Sequence, residues 1–313
     1  MPRWPADRAR RAARRRRDRR APAGRGDRPG ARPAGLSRLG GRVHRPGAGA
    51  LRGGAVTPPL EHRFDGPEDA PVVMLSNSLG TSLEVWDDEI PALAGPFRVL
   101  RYDHRGHGGS PVPPGPYAIA ELARDALELL DRLGVARVAF CGTSLGGMVG
   151  MWLAIEAPER VDRLALCCTS AHLPPREGWI ERAATVRAHG MEAVADAALE
   201  RWFTPGYAGR RPEAVERARR ALLDTPAEGY AGCCEAIAEC DLRGELRRIR
   251  APTLVIAAED DPATPPEHAR LIAEAIDGAR LVVLARARHL ASVERAEAVS
   301  DELLAHLVAG TPA

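Results

Sequence analysis

The sequence predicts an α/β protein: a doubly wound, mostly parallel β-sheet with a helical cap inserted between two of its strands. Three observations lead there. Short apolar runs of strand length alternate with amphipathic helical stretches from Pro71 onward, as repeated βα units that feed parallel strands do. The alternation lapses over residues 171–250, where only helix-like segments occur. At 313 residues with 45% hydrophobic content, the chain can also bury a core of enzyme size.

The first 56 residues stand apart. They hold 17 arginines against three aspartates, an excess of 14 positive charges, whereas residues 57–313 hold 27 arginines and 39 acids, an excess of 12 negative charges. Hardly any large apolar side chains interrupt the leader, so it cannot offset its ordering entropy and is expected to be disordered. Three origins suit it: a tail for nucleic acid or another anionic surface, a transit-like leader, or a start codon assigned too far upstream in a GC-rich genome. The Arg/Ala/Gly/Pro bias and the absence of lysine throughout the chain suit the last, which places the native start near Thr57. No apolar run approaches the ~20 residues that span a bilayer. The six cysteines, Cys141, Cys167, Cys168, Cys233, Cys234 and Cys240, show neither metal spacing nor a disulfide framework, and read as buried thiols of a reducing cytosol. A soluble, cytoplasmic protein is expected.

Strands are predicted at 72–78, 97–103, 135–142, 163–170, 253–259 and 279–285, each a short run rich in Val, Leu, Ile or Ala. Between them, residues 119–134 carry helical spacing through Ile119, Leu122, Ala126, Leu129 and Leu133 and close on Gly134. Residues 265–278 open on prolines and stop at Gly278, the expected asymmetry of helix ends. The domain plan is therefore a leader at 1–56, a core at 57–170 and 251–313, and a helical cap at 171–250. An insertion at that point lies over the carboxyl ends of the strands, where open α/β sheets bind ligands.

The chemistry is concentrated in Cys141-Gly-Thr-Ser-Leu-Gly-Gly-Met-Val-Gly150. G-x-S-x-G alone is weak: with 31 glycines and nine serines in the chain, chance supplies it in roughly one such sequence in ten. Its setting is what counts, because a predicted strand precedes it and a helix-like run follows. In that strand-turn-helix the serine occupies a strained turn with its hydroxyl above the sheet, and the flanking positions must be glycine for want of room. Ser144 is thus the candidate nucleophile.

A serine hydroxyl needs a base, and the base needs an orienting carboxylate, here in the chain order Ser, Asp, His. Of nine histidines, His289 follows the last predicted strand. His44 lies in the leader, and His268 and His306 lie on predicted helices and read as solvated surface residues. His104 and His107 share a loop but lack a third ligand for a metal. Asp261, after the strand at 253–259, is the chosen acid, with Asp260 as the alternative; either could instead cap the next helix. The oxyanion of an ester-cleavage intermediate needs two backbone N–H donors, assigned by position to Leu145 and Leu79.

These residues resemble the triad of the α/β-hydrolase superfamily. More narrowly, 75–87 (LSNSLGTSLEVWD), 101–110 (RYDHRGHGGS), the serine motif and HLASVER from His289 onward resemble the 3-oxoadipate enol-lactonase family over about residues 58–309. Asn77-Ser78-Leu79-Gly80 stands where the wider superfamily has His-Gly, which favours the narrower likeness. The resemblance implies hydrolysis of a small-molecule lactone in the β-ketoadipate pathway of aromatic catabolism, with no cofactor, no metal, and no nucleic-acid or membrane partner for the folded part. It makes Asp103 and Arg105 loop-fixing residues. It also implies a substrate with a free carboxylate, for which Trp179 and Arg176 at the start of the insertion are the candidate contacts. Another serine esterase, perhydrolase or carbon–carbon hydrolase, or a non-catalytic ligand receptor, could share the same fold and triad.

Overall fold

The computed structural model describes residues 59–308; the arginine-rich leader lies outside the described residues. Seven strands form one sheet in the order β1-β3-β2-β4-β5-β6-β7: β1 (His62–Asp65), β2 (Val72–Ser76), β3 (Arg98–Tyr102), β4 (Val138–Thr143), β5 (Val161–Cys167), β6 (Thr253–Ala258) and β7 (Arg280–Leu284). All neighbours pair parallel except β1, which runs antiparallel to β3 at the edge. Six of the seven strands are those the apolar runs predict. β1 was not predicted: its sequence, HRFD, offers one apolar residue, and it is held as an edge by backbone pairing rather than by burial.

The helices are α1 (Ile90–Leu93), α2 (Ile119–Arg132), α3 (Leu145–Glu156), α4 (Arg176–His189), α5 (Glu192–Trp202), α6 (Pro205–Arg210), α7 (Pro212–Asp224), α8 (Ala227–Ala238), α9 (Pro266–Ala275), α10 (Ala291–Glu294) and α11 (Ala296–Val308). α2 buries Ile119, Leu122, Ala126 and Leu129, the stripe its spacing predicts, and the chain leaves the helix through Gly134 at φ +67°, where a Cβ would be strained. Strand residues alternate between two cores. Met74, Leu100, Phe140, Leu164 and Val255 face α2, α3 and α9; Val73, Leu75, Val99, Cys141, Ala165 and Ile256 face Leu93 and the α11 residues Val299, Leu303 and Leu307. Period-two burial on both faces is what makes these strands read as continuous apolar runs.

Between β5 and β6 the chain forms five helices, α4 to α8. An isolated antiparallel bridge joins His172 to Asp241, so the way into this insertion and the way out lie side by side. Gly229 of α8 meets the backbone of Gly106, and Gly232 meets the Tyr117 ring, each too closely for a Cβ. All six cysteines are buried free thiols. Among the described residues no helix is long and apolar enough to cross a membrane.

Candidate active site

The strand order brings the site together. The chain goes one way from β2 to β3 and the other way to β4, so the winding reverses between β2 and β4, the position at which such sheets bind ligands beyond their carboxyl ends. Ser76, the last residue of β2, is in register with Gly142 near the end of β4. The loops that follow these two strands hold Leu79 and Ser144, and they are tied directly, the Gly146 N–H donating to the Asn77 carbonyl at 3.0 Å.

Ser144 sits between β4 and α3 with φ 55° and ψ −112°, a conformation costly for any residue with a side chain. The surroundings hold it there. Its N–H donates to the Cys167 carbonyl at 2.9 Å, and its carbonyl accepts from the Thr169 hydroxyl at 2.6 Å. A Cβ on Gly142 would strike the Gly146 carbonyl, and a Cβ on Gly146 would strike the carbonyl of Ser76, so the steric demand read from the motif is met by backbone.

Asp261 and His289 leave the carboxyl ends of the adjacent strands β6 and β7 and converge on Ser144. His289 Nε2 lies 2.8 Å from Ser144 Oγ, and Nδ1 lies 2.8 Å from Asp261 Oδ2. A carboxylate can only accept, so Nδ1–H is the donor and neutral His289 presents a lone pair on Nε2 to the serine hydroxyl. The three are 8%, 3% and 4% exposed for Ser144, Asp261 and His289, dry enough for each bond to be strong. Asp261 also accepts from the Thr264 hydroxyl at 2.7 Å and from the N–H groups of Ala263 and Thr264 at 2.7 and 3.1 Å. Burial alone would raise its pKa. The electrostatic attraction of the His289 ring and the hydrogen bonds from His289 and Thr264 outweigh it, and the carboxyl is held below its ordinary range. Asp260 is exposed, and of the two it is Asp261 that the fold brings to His289. Neither caps α9, whose N-cap position is Pro265.

The Leu79 and Leu145 amides are buried, and neither N–H is taken by another group among the described residues. Buried amides without a partner are uncommon and call for a ligand. The loop carrying Leu79 is held by groups the sequence did not reveal in this role. Asn77 donates to the Tyr102 carbonyl at 2.8 Å and accepts from the Trp86 indole at 3.1 Å. His107 Nε2 accepts the Gly80 N–H at 3.0 Å. Burial lowers the pKa of His104 to about 3 and of His107 to about 4, so both are neutral, as an accepting Nε2 requires. Asp103 accepts from the Leu83 and Gly109 N–H groups at 2.7 and 3.0 Å, with its pKa raised by burial to about 6, and Arg105 forks onto Asp125. Among the described residues no cluster of His, Cys, Asp or Glu could hold a metal.

Four other side chains lie elsewhere than expected, or in other company. Arg176 is exposed and occupied in an ion pair with Glu239, with Nε 2.7 Å from Oε1, so its charge is not available to a buried ligand. Trp179 is half-buried, donates its indole N–H to the Leu173 carbonyl at 3.0 Å, and carries the Arg182 guanidinium 4.5 Å above its ring. His306, expected in solvent, is buried on α11 with Nε2 3.1 Å from the Leu164 carbonyl: its helix packs that face against the sheet. His268 is half-buried, with Nδ1 2.6 Å from Ser170 Oγ.

This sheet, with a buried serine, histidine and aspartate at its switch point, is that of a hydrolase. The chain belongs to the α/β-hydrolase fold family, whose model matches residues 71–296. It is 43% identical over 239 residues to 3-oxoadipate enol-lactonase 2 of Acinetobacter baylyi, covering 76% of this chain and 89% of that protein. The crystal structure of the enol-lactonase from Burkholderia xenovorans superposes with a TM-score of 0.78 at 46% identity, covering 79% of this chain and 96% of that one. A putative carbamate hydrolase, RutD, of Pseudomonas savastanoi is 33% identical over 230 residues, 72% of this chain and 89% of that protein.

Proposed function

We propose that the protein hydrolyses 3-oxoadipate enol-lactone to 3-oxoadipate, with Ser144 as nucleophile, His289 as general base and acid, and Asp261 as the group that orients His289. The observation that carries this reading is the unbroken buried chain from Ser144 Oγ through both nitrogens of His289 to Asp261, in a protein whose enol-lactonase relatives span nearly their whole length on it. Ser144 Oγ attacks the lactone carbonyl while Nε2 takes its proton. The amides of Leu79 and Leu145 receive the oxyanion. Collapse breaks the ring C–O bond as Nε2–H gives its proton to the leaving enolate oxygen, which is less basic than an alkoxide, and the enol stays tethered to the acyl chain. Water then gives a proton to Nε2 and attacks the acyl-enzyme, and Nε2–H returns that proton to Ser144 Oγ as the enol acid leaves to become the ketone. No cofactor enters these steps. The helical insertion acts as the cap over the site, and the protein works in the cytoplasm on a free small molecule.

The test is loss of the enol-lactone ultraviolet absorbance with wild type beside Ser144→Ala, for which turnover should fall at least ~10³-fold, because the triad acts as a unit. Turnover of simple esters or of a carbamate with none of the enol-lactone would refute the lactonase assignment. Failure of a fluorophosphonate to label Ser144 in folded protein would refute hydrolysis by this serine.

A further inference from the structure

The Asp261 carboxylate holds two side-chain donors on one oxygen. Oδ1 takes only backbone, the N–H groups of Ala263 and Thr264 at 2.7 and 3.1 Å. Oδ2 takes the Thr264 hydroxyl at 2.7 Å and His289 Nδ1–H at 2.8 Å. Oγ1 of Thr264 also stands 3.3 Å from Nδ1, so hydroxyl, carboxylate oxygen and ring nitrogen close a triangle. The hydroxyl proton is spent on Oδ2 and the ring proton follows the shorter contact, which leaves Oγ1 beside the imidazole edge as a stop rather than as its acceptor. Thr264 and Asp261 are 2% and 3% exposed, so Oδ2 has no bulk solvent with which to share its charge.

Two donors on one oxygen compete. The hydroxyl takes part of the charge that would otherwise answer the ring alone, and so weakens the hold of Asp261 on a second imidazole proton. It also pins Oδ2 where backbone pins Oδ1, so that the carboxylate cannot turn from the ring. Thr264 is itself fixed from two sides: Pro265 confines the backbone of the residue before it, and the Thr264 N–H is committed to Oδ1.

We propose that Thr264 is a positioning residue of the hydrolytic site, whose hydroxyl holds Asp261 Oδ2 against His289 and sets the basicity with which Nε2 takes the Ser144 proton. The proposal rests on the reading of Ser144 as nucleophile and not on which lactone is cleaved. Besides His289, the titratable groups that face Asp261 are the Cys168 thiol, raised well above its ordinary range by burial and so neutral, and His268 of α9, lowered by burial. Asp260 is exposed on the same loop. The charged side chains on the elements around His289 are Arg201 of α5, Arg288 and Glu294. Among the described residues none of these is bonded to Thr264.

The experiment measures the rate at which a fluorophosphonate labels Ser144, together with kcat and KM for p-nitrophenyl acetate, from about pH 5 to 9. It compares wild type with Thr264→Val, Thr264→Ala and Thr264→Ser. Val and Ala should each lower the plateau roughly 10-fold or more through kcat, with KM little changed. Both should also move the acid limb to higher pH by about half a unit or more, because Oδ2 then answers His289 alone. Ser should restore both, and the shift should persist when His268→Gln removes the other imidazole that faces Asp261. A loss equal at every pH, with the limb unmoved, would mean a structural role only and overturn the proposal, as would a shift that vanishes with His268 or that serine fails to reverse. Ala decides the matter if the Val variant does not fold. If wild type hydrolyses the ester and ignores the enol-lactone, the lactonase assignment fails, while a moved limb still supports the role of Thr264. If wild type turns over the enol-lactone and the limb does not move, Thr264 alone is refuted. A wild type that no fluorophosphonate labels would overturn both.

Discussion

Replacing Asp261 with asparagine should separate the fold of the acid loop from its chemistry. Oδ1 accepts the N–H groups of Ala263 and Thr264 at 2.7 and 3.1 Å, whereas Oδ2 accepts the Thr264 hydroxyl and His289 Nδ1–H at 2.7 and 2.8 Å. In Asp261→Asn the amide oxygen must keep the two backbone donors, since nothing else there can accept them. The NH2 group then takes the place of Oδ2 and donates. The Thr264 hydroxyl can rotate to accept, but His289 Nδ1 can accept only by giving up its proton to Nε2. Nε2–H would then face Ser144 Oγ, 2.8 Å away, and could not take the serine proton. The expected loss is about 10⁴-fold in kcat, or about 5.5 kcal/mol, with the protein still folded by circular dichroism. Asp260→Asn is the control: its side chain is exposed and makes no hydrogen bond among the described residues, so activity should stay within roughly twofold. Retention of a tenth or more of wild-type turnover by folded Asp261→Asn, or a larger loss in Asp260→Asn, would refute the assignment of the acid.

Gly146→Ala places a Cβ on the Ser76 carbonyl, a backbone group of the central sheet, and should destabilise the protein by about 2 kcal/mol or more; an unchanged urea midpoint would contradict the close packing of the turn. Glu89 is fully buried with neither carboxyl oxygen partnered among the described residues, and burial, then the Asp88 charge, raises its pKa well above the ordinary range. Its unfolded form ionises first, so stability should fall as pH rises from about 4.3 toward the folded value, by up to about 1.4 kcal/mol per unit. Glu89→Gln should remove that slope, and parallel urea-midpoint curves for the two proteins between pH 5 and 7 would refute it. His107 has the opposite sign: with its pKa lowered to about 4 by burial, its contribution is present above about 6.5 and lost as pH falls toward 4. His107→Gln, which keeps an acceptor for the Gly80 N–H, should be less acid-sensitive than wild type in the same assay, and an equal fall would refute the buried neutral imidazole.

Much of the architecture was legible because its physics is local. Six strands show as apolar runs, since both faces of the sheet are covered, and α2 shows through the stripe from Ile119 to Leu129. β1 did not show, because backbone pairing along β3 needs no apolar signature. The serine motif was legible because a tight turn needs glycine for room, and each glycine there now has a named backbone obstacle. What stayed hidden depends on which side chains meet across the fold. Nothing local shows that Arg176 is taken up by Glu239, or that Arg182 stacks on Trp179. His104 and His107 read as a loop pair, yet the parallel strands bury them, and a neutral His107 becomes the acceptor that fixes Gly80.

The helical insertion is tied to the loop that carries His289. Besides the two carbonyls at the end of α5 that hold the His289 and Leu290 amides, Arg288 donates to the Glu200 carbonyl, and Glu294 of α10 accepts both the backbone N–H and the hydroxyl of Thr204, at the start of α6. The loop that carries His289 is therefore braced from both sides by the insertion, through carbonyls whose positions follow α5 as a body. A shift of the last turn of α5 would therefore move the support of His289. Substitutions that displace that turn should accordingly lower kcat, read as turnover at saturating substrate beside wild type.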